Sequence, residues 1–238
     1  MYLVGGGNAI LLLLTAMAVV GALIIAFVAS RKRKPEVARS FLAGAAIAAL
    51  LYGGGVIAAS ATSTERTLAP GETKWFCGFY LDCHLGLSLD QTEVAAELPG
   101  ANGAVKAGGN FYVLTLSLHN SAENSNLDML LYRPQAEIED ASGQRYSRSA
   151  PAEAALASGG RPAVLGSETR VSHDPHRATI AFDLPKNVQS PRLIVTEGWI
   201  LDRTIELGLL NDENSILHKR TYQALSTADS RTASSVNR

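Results

Sequence analysis

Two stretches of this chain, residues 1–30 and 40–64, contain no Asp, Glu, Lys or Arg, and a short cationic link joins them. No other feature limits the fold as much. A helix crossing a bilayer core about 30 Å thick needs about 20 apolar residues. Residues 9–29 offer 21, including Leu11 to Leu14 and Gly21-Ala22-Leu23-Ile24-Ile25. Residues 41–59 offer 19, richer in Ala and Gly. These runs explain why only 18% of the chain is charged, against about 25% in soluble domains. They exclude a freely soluble cytosolic protein and a wholly disordered chain.

The link, residues 31–39, holds Arg31, Lys32, Arg33, Lys34 and Arg39 against one acid, Glu36, and Pro35 marks a turn. Short loops rich in Lys and Arg stay on the cytoplasmic side. The flank before the first run is uncharged, and Glu65 and Arg66 nearly cancel after the second. The expectation is therefore a multi-pass hairpin over residues 1–60 in a bacterial cytoplasmic membrane. Its spans lie at about 9–29 and 41–59, its 31–39 loop is inside, and the N-terminus and everything after residue 60 are outside. A signal peptide places its basic cluster before its apolar run. Here the order is reversed and a second long run follows, so a retained anchor is expected. Small residues at four-residue spacing (Gly44 and Ala48; Ala45, Ala49 and Gly53; Ala18, Ala22 and Ala26) allow close helix packing in lipid.

Residues 1–60 hold five of the 21 basic residues and one of the 22 acidic ones, leaving 16 against 21 and a net charge of −5 for the rest. That excludes a nucleic-acid binder driven by bulk charge. Residues 61–72 read as a linker, 73–225 as an outer domain, and the Ser/Thr/Ala-rich stretch 226–238 as a disordered tail.

The outer domain shows period-2 alternation, the mark of half-buried strands. From Trp75 the odd positions run through Cys77, Phe79, Leu81, Cys83, Leu85, Leu87 and Leu89, with Asp82, His84, Ser88 and Asp90 between them. Tyr112, Leu114, Leu116 and Leu118 share one face, and so do Ile180, Phe182 and Leu184. Residues 135–140 and 144–147 flank a Ser142-Gly143 turn, and Leu193-Ile194-Val195 is a further strand. Helical periodicity is confined to a short stretch at 202–210, and 219–225 reads as a closing strand. Short strands separated by turns predict a mainly β fold: an antiparallel immunoglobulin-like sandwich after a two-helix transmembrane hairpin.

The run Gly108-Gly109-Asn110-Phe111-Tyr112-Val113-Leu114-Thr115-Leu116-Ser117-Leu118-His119-Asn120 resembles a strand of a telokin-like, immunoglobulin-like family found in bacterial lipoproteins and membrane-anchored extracytoplasmic proteins. Asp140-Ala141-Ser142-Gly143-Gln144-Arg145-Tyr146 is similar to that family's next strand closure. Thr179 to Pro185 followed by Leu193-Ile194-Val195 is similar to its last apolar strands. The chain departs from the family at Leu165-Gly166-Ser167-Glu168 and at His173-Asp174-Pro175-His176. The resemblance covers about residues 70–200. It implies a fold and a binding or assembly role, without known catalysis.

Outside the cytoplasm a cysteine pair tends to oxidise, so a Cys77–Cys83 disulfide is expected. Bridged Cα atoms lie about 4.4–6.8 Å apart, whereas six residues of straight strand span about 20 Å. A bridge therefore requires a turn near residues 78–82, and two buried inert thiols are the alternative. Covalent haem needs C-x-x-C-H, which Cys83-His84 does not complete. Two helices and an outer β-domain are also the layout of cytochrome oxidase subunit II, but its copper set needs Cys, His and Met together. Met129 has no Cys or His within eight residues.

His173 and His176, with His84 or His119, carry metal-ligand chemistry and could hold zinc or copper. The competing reading is an exposed turn with two solvated imidazoles. No G-x-S-x-G elbow, paired-carboxylate phrase or phosphate loop is present. Trp75 and Trp199 read as core plugs before ligand platforms. The sequence thus predicts a non-enzymatic, cofactor-free binding or assembly module. Its partners are the membrane and another envelope protein or a second copy, with no nucleic acid. A metal-handling or electron-transfer accessory using His173 and His176 is the alternative, as is a structural subunit of a membrane complex.

Overall fold

The computed structural model describes residues 4–76, 84–124, 126–161, 163–174, 176–198, 200–210 and 212–225. They form two compact units. The first contains helix α1 (Val4–Arg31), helix α2 (Pro35–Thr62) and residues 200–220. Both helices run further than the apolar spans require, leaving a turn of three residues. Arg33 takes a left-handed φ of 57° there, and Pro35 starts α2 at a position where no N–H is needed. Of the small residues at four-residue spacing, Ala26 and Ala45 are buried and Ala22 and Ala48 half-buried, whereas Ala18 and Ala49 are exposed; Ala29, Ala38 and Val56 are also buried. A Cβ added at Gly44 or Gly53 would meet nothing within 4 Å, so neither position needs glycine for close approach. Leu50 and Leu51, each more than 70% exposed, typify the uncovered apolar surface. Each helix is long and apolar enough to cross a membrane.

The second unit is a mostly antiparallel β-sandwich. One sheet has the order β1-β11-β10-β6-β7: β1 (Arg66–Leu68), β11 (Thr221–Ala224), β10 (Arg192–Thr196), β6 (Gln135–Glu139) and β7 (Arg145–Ser147). Its β1–β11 pair is parallel. The other has the order β2-β3-β4-β9: β2 (Thr73–Phe76), β3 (Leu85–Gly100), β4 (Gly103–Asn120) and β9 (His176–Leu184). A small ribbon pairs β5 (Met129–Tyr132) with β8 (Glu168–Val171). The stretch 61–72, expected as a linker, thus contributes strand β1.

The main core lies between the two large sheets. Leu114, Leu116, Leu118, Ile180 and Phe182 are fully buried there, on the faces their alternation predicts. Trp75 departs from expectation. Lys74 and Phe76 are the residues of β2 that turn inward, and Lys74 Nζ donates to the Val195 carbonyl at 2.6 Å. The physical reason is that β2 and β3 are separate strands, so side-chain parity need not carry across the connection between them.

Helix α3 (Ala150–Ser158) was not visible in the hydropathy pattern. It lays Ala152, Ala155 and Leu156 on the outer side of the second sheet, against Leu98, Phe111, Val113 and Ala181. Arg148 grips Glu153 through two bonds of 2.7 and 2.9 Å and also donates to the Leu165 carbonyl. Glu153 in turn accepts the Ala181 N–H. The short helix α4 (Ile200–Glu206) lies in the first unit.

Candidate functional site

The outer face of the β2-β3-β4-β9 sheet is divided. Helix α3 covers one half with apolar contacts, and the other half is polar. Strand register sets Thr73, Ser88, Ser117 and Arg177 in one row across the four strands. The adjacent row carries Trp75, Gly86 and His119. A Cβ on Gly86 would stand 2.9 Å from the Trp75 ring, so the indole lies directly over the glycine. That half-exposed indole belongs to this surface and does not plug the core.

A bulge between Leu89 and Gln91 leaves Asp90 as an extra residue with no partner opposite. Such a bulge re-aims a side chain. Asp90 Oδ2 accepts the Ser117 hydroxyl at 2.5 Å and Oδ1 accepts the Ser88 hydroxyl at 3.1 Å. The Arg177 guanidinium stands 3.9 Å away. His119 Nε2 meets Ser88 Oγ at 2.9 Å.

Serine, histidine and aspartate therefore meet, but in an order that does not activate the hydroxyl. A catalytic relay needs the acid on the far nitrogen of the imidazole. Here the acid holds the serine hydroxyls. While Ser88 donates to Asp90, it accepts from His119, so the imidazole is not acting as its base. The arrangement presents fixed donors, acceptors and an aromatic surface on a four-strand platform. The β9 edge beside it is closed. Arg148 bridges to Phe182, Val164 bridges to Thr179, and Ser149 donates to the Ala181 carbonyl. An edge so covered is a poor template for strand addition.

Two of the histidines proposed as ligands bond to neighbouring residues of one segment, Ser121 and Ala122. His84 Nδ1 meets Ser121 Oγ at 3.1 Å. His173 Nε2 donates to the Ala122 carbonyl at 2.7 Å, which occupies that nitrogen. His176 opens β9 opposite Leu118. Among the described residues no three side chains of metal-ligand type form a group. Cys77 and Cys83 lie outside the described residues. The cationic residues Arg31, Lys32, Arg33, Lys34 and Arg39 gather at the turn of the hairpin, with Arg31 over the Phe27 ring at 5.2 Å.

A groove of about 470 Å³ opens between α3 and the β3–β4 hairpin tip, lined by residues such as Gly100, Asn102, Gly103, Pro151 and Ala154. None of its lining side chains titrates, and its one hydroxyl, that of Ser158, donates to the Ala155 carbonyl and accepts the Ala101 N–H.

The Asp90–Ser117 network and Arg177 were missed at the level of sequence. Ser88, Asp90 and His119 show there only as polar positions, because register, not spacing, brings them together.

No protein-family model matches the chain, and no curated protein matches it. The fold is similar to that of MPT63, a secreted protein from Mycobacterium tuberculosis. The two share 14% identity and a TM-score of 0.39 over 69% of this chain and 99% of that one. An uncharacterised β-sandwich protein from Clostridium difficile 630 gives 10% identity and 0.37 over 69% and 96%. A conserved hypothetical protein from Bacillus anthracis gives 12% and 0.36 over 52% and 90%.

Proposed function

We propose that this chain is a membrane-anchored, extracytoplasmic binding or assembly module without catalytic activity. Its helices α1 and α2 form the anchor, with the Arg31–Lys34 turn in the cytoplasm and the sandwich outside. The observation that carries the binding reading is the polar outer face, where the bulge at Asp90 fixes Ser88 and Ser117 beside His119 and Trp75. Its partner is an envelope protein or a second copy of the chain. A rigid face with an aromatic side chain and preset hydrogen-bond groups suits recognition.

The test is affinity isolation of the full chain from gently solubilised membranes. Wild type is compared with Trp75→Ala/His119→Ala after both are shown to melt alike. The expected result is a defined partner, or a self-oligomer, held by wild type and lost by the variant. Equal recovery by both proteins overturns the assignment of this face. Recovery that depends on the helices alone would make the chain a structural subunit of a membrane complex.

A further inference from the structure

Residues 208–210 and 212–219 meet the last three turns of α2 at four places, in chain order. Tyr52 Oη donates to the Gly208 carbonyl at 2.8 Å. Leu210 Cδ1 lies 3.8 Å from where a Cβ on Gly55 would stand. Ser60 and Ser215 pair their hydroxyls at 3.1 Å, both buried. The Lys219 N–H donates to Ser63 Oγ at 2.8 Å. Helix α1 joins from its other side: Asn8 Nδ2 donates to the Leu210 carbonyl at 2.6 Å, and Leu12 Cδ1 is 3.9 Å from a Cβ built on Gly208.

These contacts set a depth. About 20 residues counted from Ser40, just past the cationic turn, end near Ser60. At 1.5 Å per residue, Gly55 and Tyr52 lie about 7–12 Å below that boundary. The contacts of Asn8, Ser60 and Ser63 hold the stretch close to that boundary, with Tyr52 and Gly55 reaching it from below, and backbone so placed draws on protein partners. The carbonyls of Gly208 and Leu210 are taken by Tyr52 and Asn8, and the Ile216 N–H closes onto the Leu207 carbonyl at 3.1 Å. Meanwhile Leu207, Ile216 and Leu217 are 51%, 51% and 68% exposed. Leu217 is exposed at a left-handed φ of 65°, where a surface loop in water favours Gly or Asn. The acids of the stretch are not turned out with them: Glu206 is buried, Asp212 and Glu213 are half-buried, and none is free.

We infer that residues 207–210 and 212–217 form a lipid-contacting element at the membrane boundary opposite the Arg31–Lys34 turn, with Leu207, Ile216 and Leu217 against the acyl chains. The three exposed side chains belong to a stretch that packs on α1 and α2 at that boundary, where interfacial elements lay their apolar faces. The inference rests on reading α1 and α2 as membrane spans.

The test is photolabelling of the full chain in phosphatidylcholine vesicles with a bilayer-dissolved carbene precursor, mapped by mass spectrometry. Labels are expected on α1 and α2 at Ile24, Leu50 and Leu51, and on 207–217, with Ile180 and Phe182 as unlabelled core controls. Labelled helices with an unlabelled 207–217 overturn the inference and leave the anchor standing. Unlabelled helices overturn the anchor itself. In Leu217→Asp, labelling of 207–216 is expected to fall severalfold while the helices keep theirs. An unchanged pattern there overturns the inference as well.

Discussion

Asp183 on β9 accepts the backbone N–H groups of both Gly108 and Gly109 on β4, at 2.7 and 3.0 Å. The carboxylate thus joins two strands side chain to main chain at the end of their ladder. At Gly109 a Cβ would stand 2.0 Å from the Leu184 carbonyl oxygen, which is backbone and cannot step aside. Gly109→Ala should therefore destabilise the sandwich by about 3 kcal/mol. Thermal unfolding of the purified protein checks this, and a wild-type midpoint would refute the close approach.

The Arg148–Glu153 pair fastens α3 to the sheet, with side chains only 23% and 13% exposed. Glu153→Ala removes two of the bonds of a half-buried guanidinium and the acceptor of the Ala181 N–H. The expected cost is about 2–3 kcal/mol. A double-mutant cycle with Arg148→Ala should give strong coupling, and additive losses would show that the two residues act separately.

Asp140 is held below the ordinary carboxylate range, chiefly by the Ser142 hydroxyl and with help from the Tyr146 hydroxyl. Burial and the nearby Asp140 charge in turn raise the Tyr146 phenol. A carboxylate with a depressed folded value stabilises at pH above its unfolded value of about 3.9 and loses that contribution as pH falls through the folded one. Asp140→Asn should flatten the acid side of the stability–pH curve and leave its slope near pH 7 unchanged. An identical acid limb in the variant would refute this.

Gly86→Ala places a methyl 2.6 Å from Thr73 Cγ2 and 2.9 Å from the Trp75 ring. The indole must tilt off the sheet, so Trp emission should shift while far-ultraviolet dichroism stays the same. Unchanged emission would mean that the ring does not rest on Gly86.

Neutralising Arg31, Lys32, Arg33 and Lys34 together removes the charge asymmetry of the hairpin. Exposed Lys106, on the sandwich, should then react only in part with an impermeant amine reagent on intact cells. Full reaction, as in wild type, would count against charge as the orienting force.

The inner faces of the sandwich were legible because alternation reports burial directly, as at Leu114, Leu116, Leu118, Ile180, Phe182 and Leu184. Parity at Trp75 was not, because the connection before β3 breaks the count. Helix α3 escaped notice because its buried side, Ala152, Ala155 and Leu156, is small and reads as loop composition. The site escaped for a different reason. The partners Asp90 and Ser117 are 27 residues apart, joined by a bulge that no local pattern announces. The contacts of Gly208 and Ser215 with α2 join residues more than 150 positions apart in sequence.

Among the described residues strand β1 has a single neighbour, β11. Arg66 pairs with Thr221, so the first strand of the sandwich waits for a segment made 155 residues later. Closing so wide a loop is slow. During synthesis the helices emerge first, and the chain that follows cannot complete its first sheet until residues 221–224 arrive. Until then β10 lacks one flank, and its Leu193-Ile194-Val195 run is open to mispairing with another nascent chain.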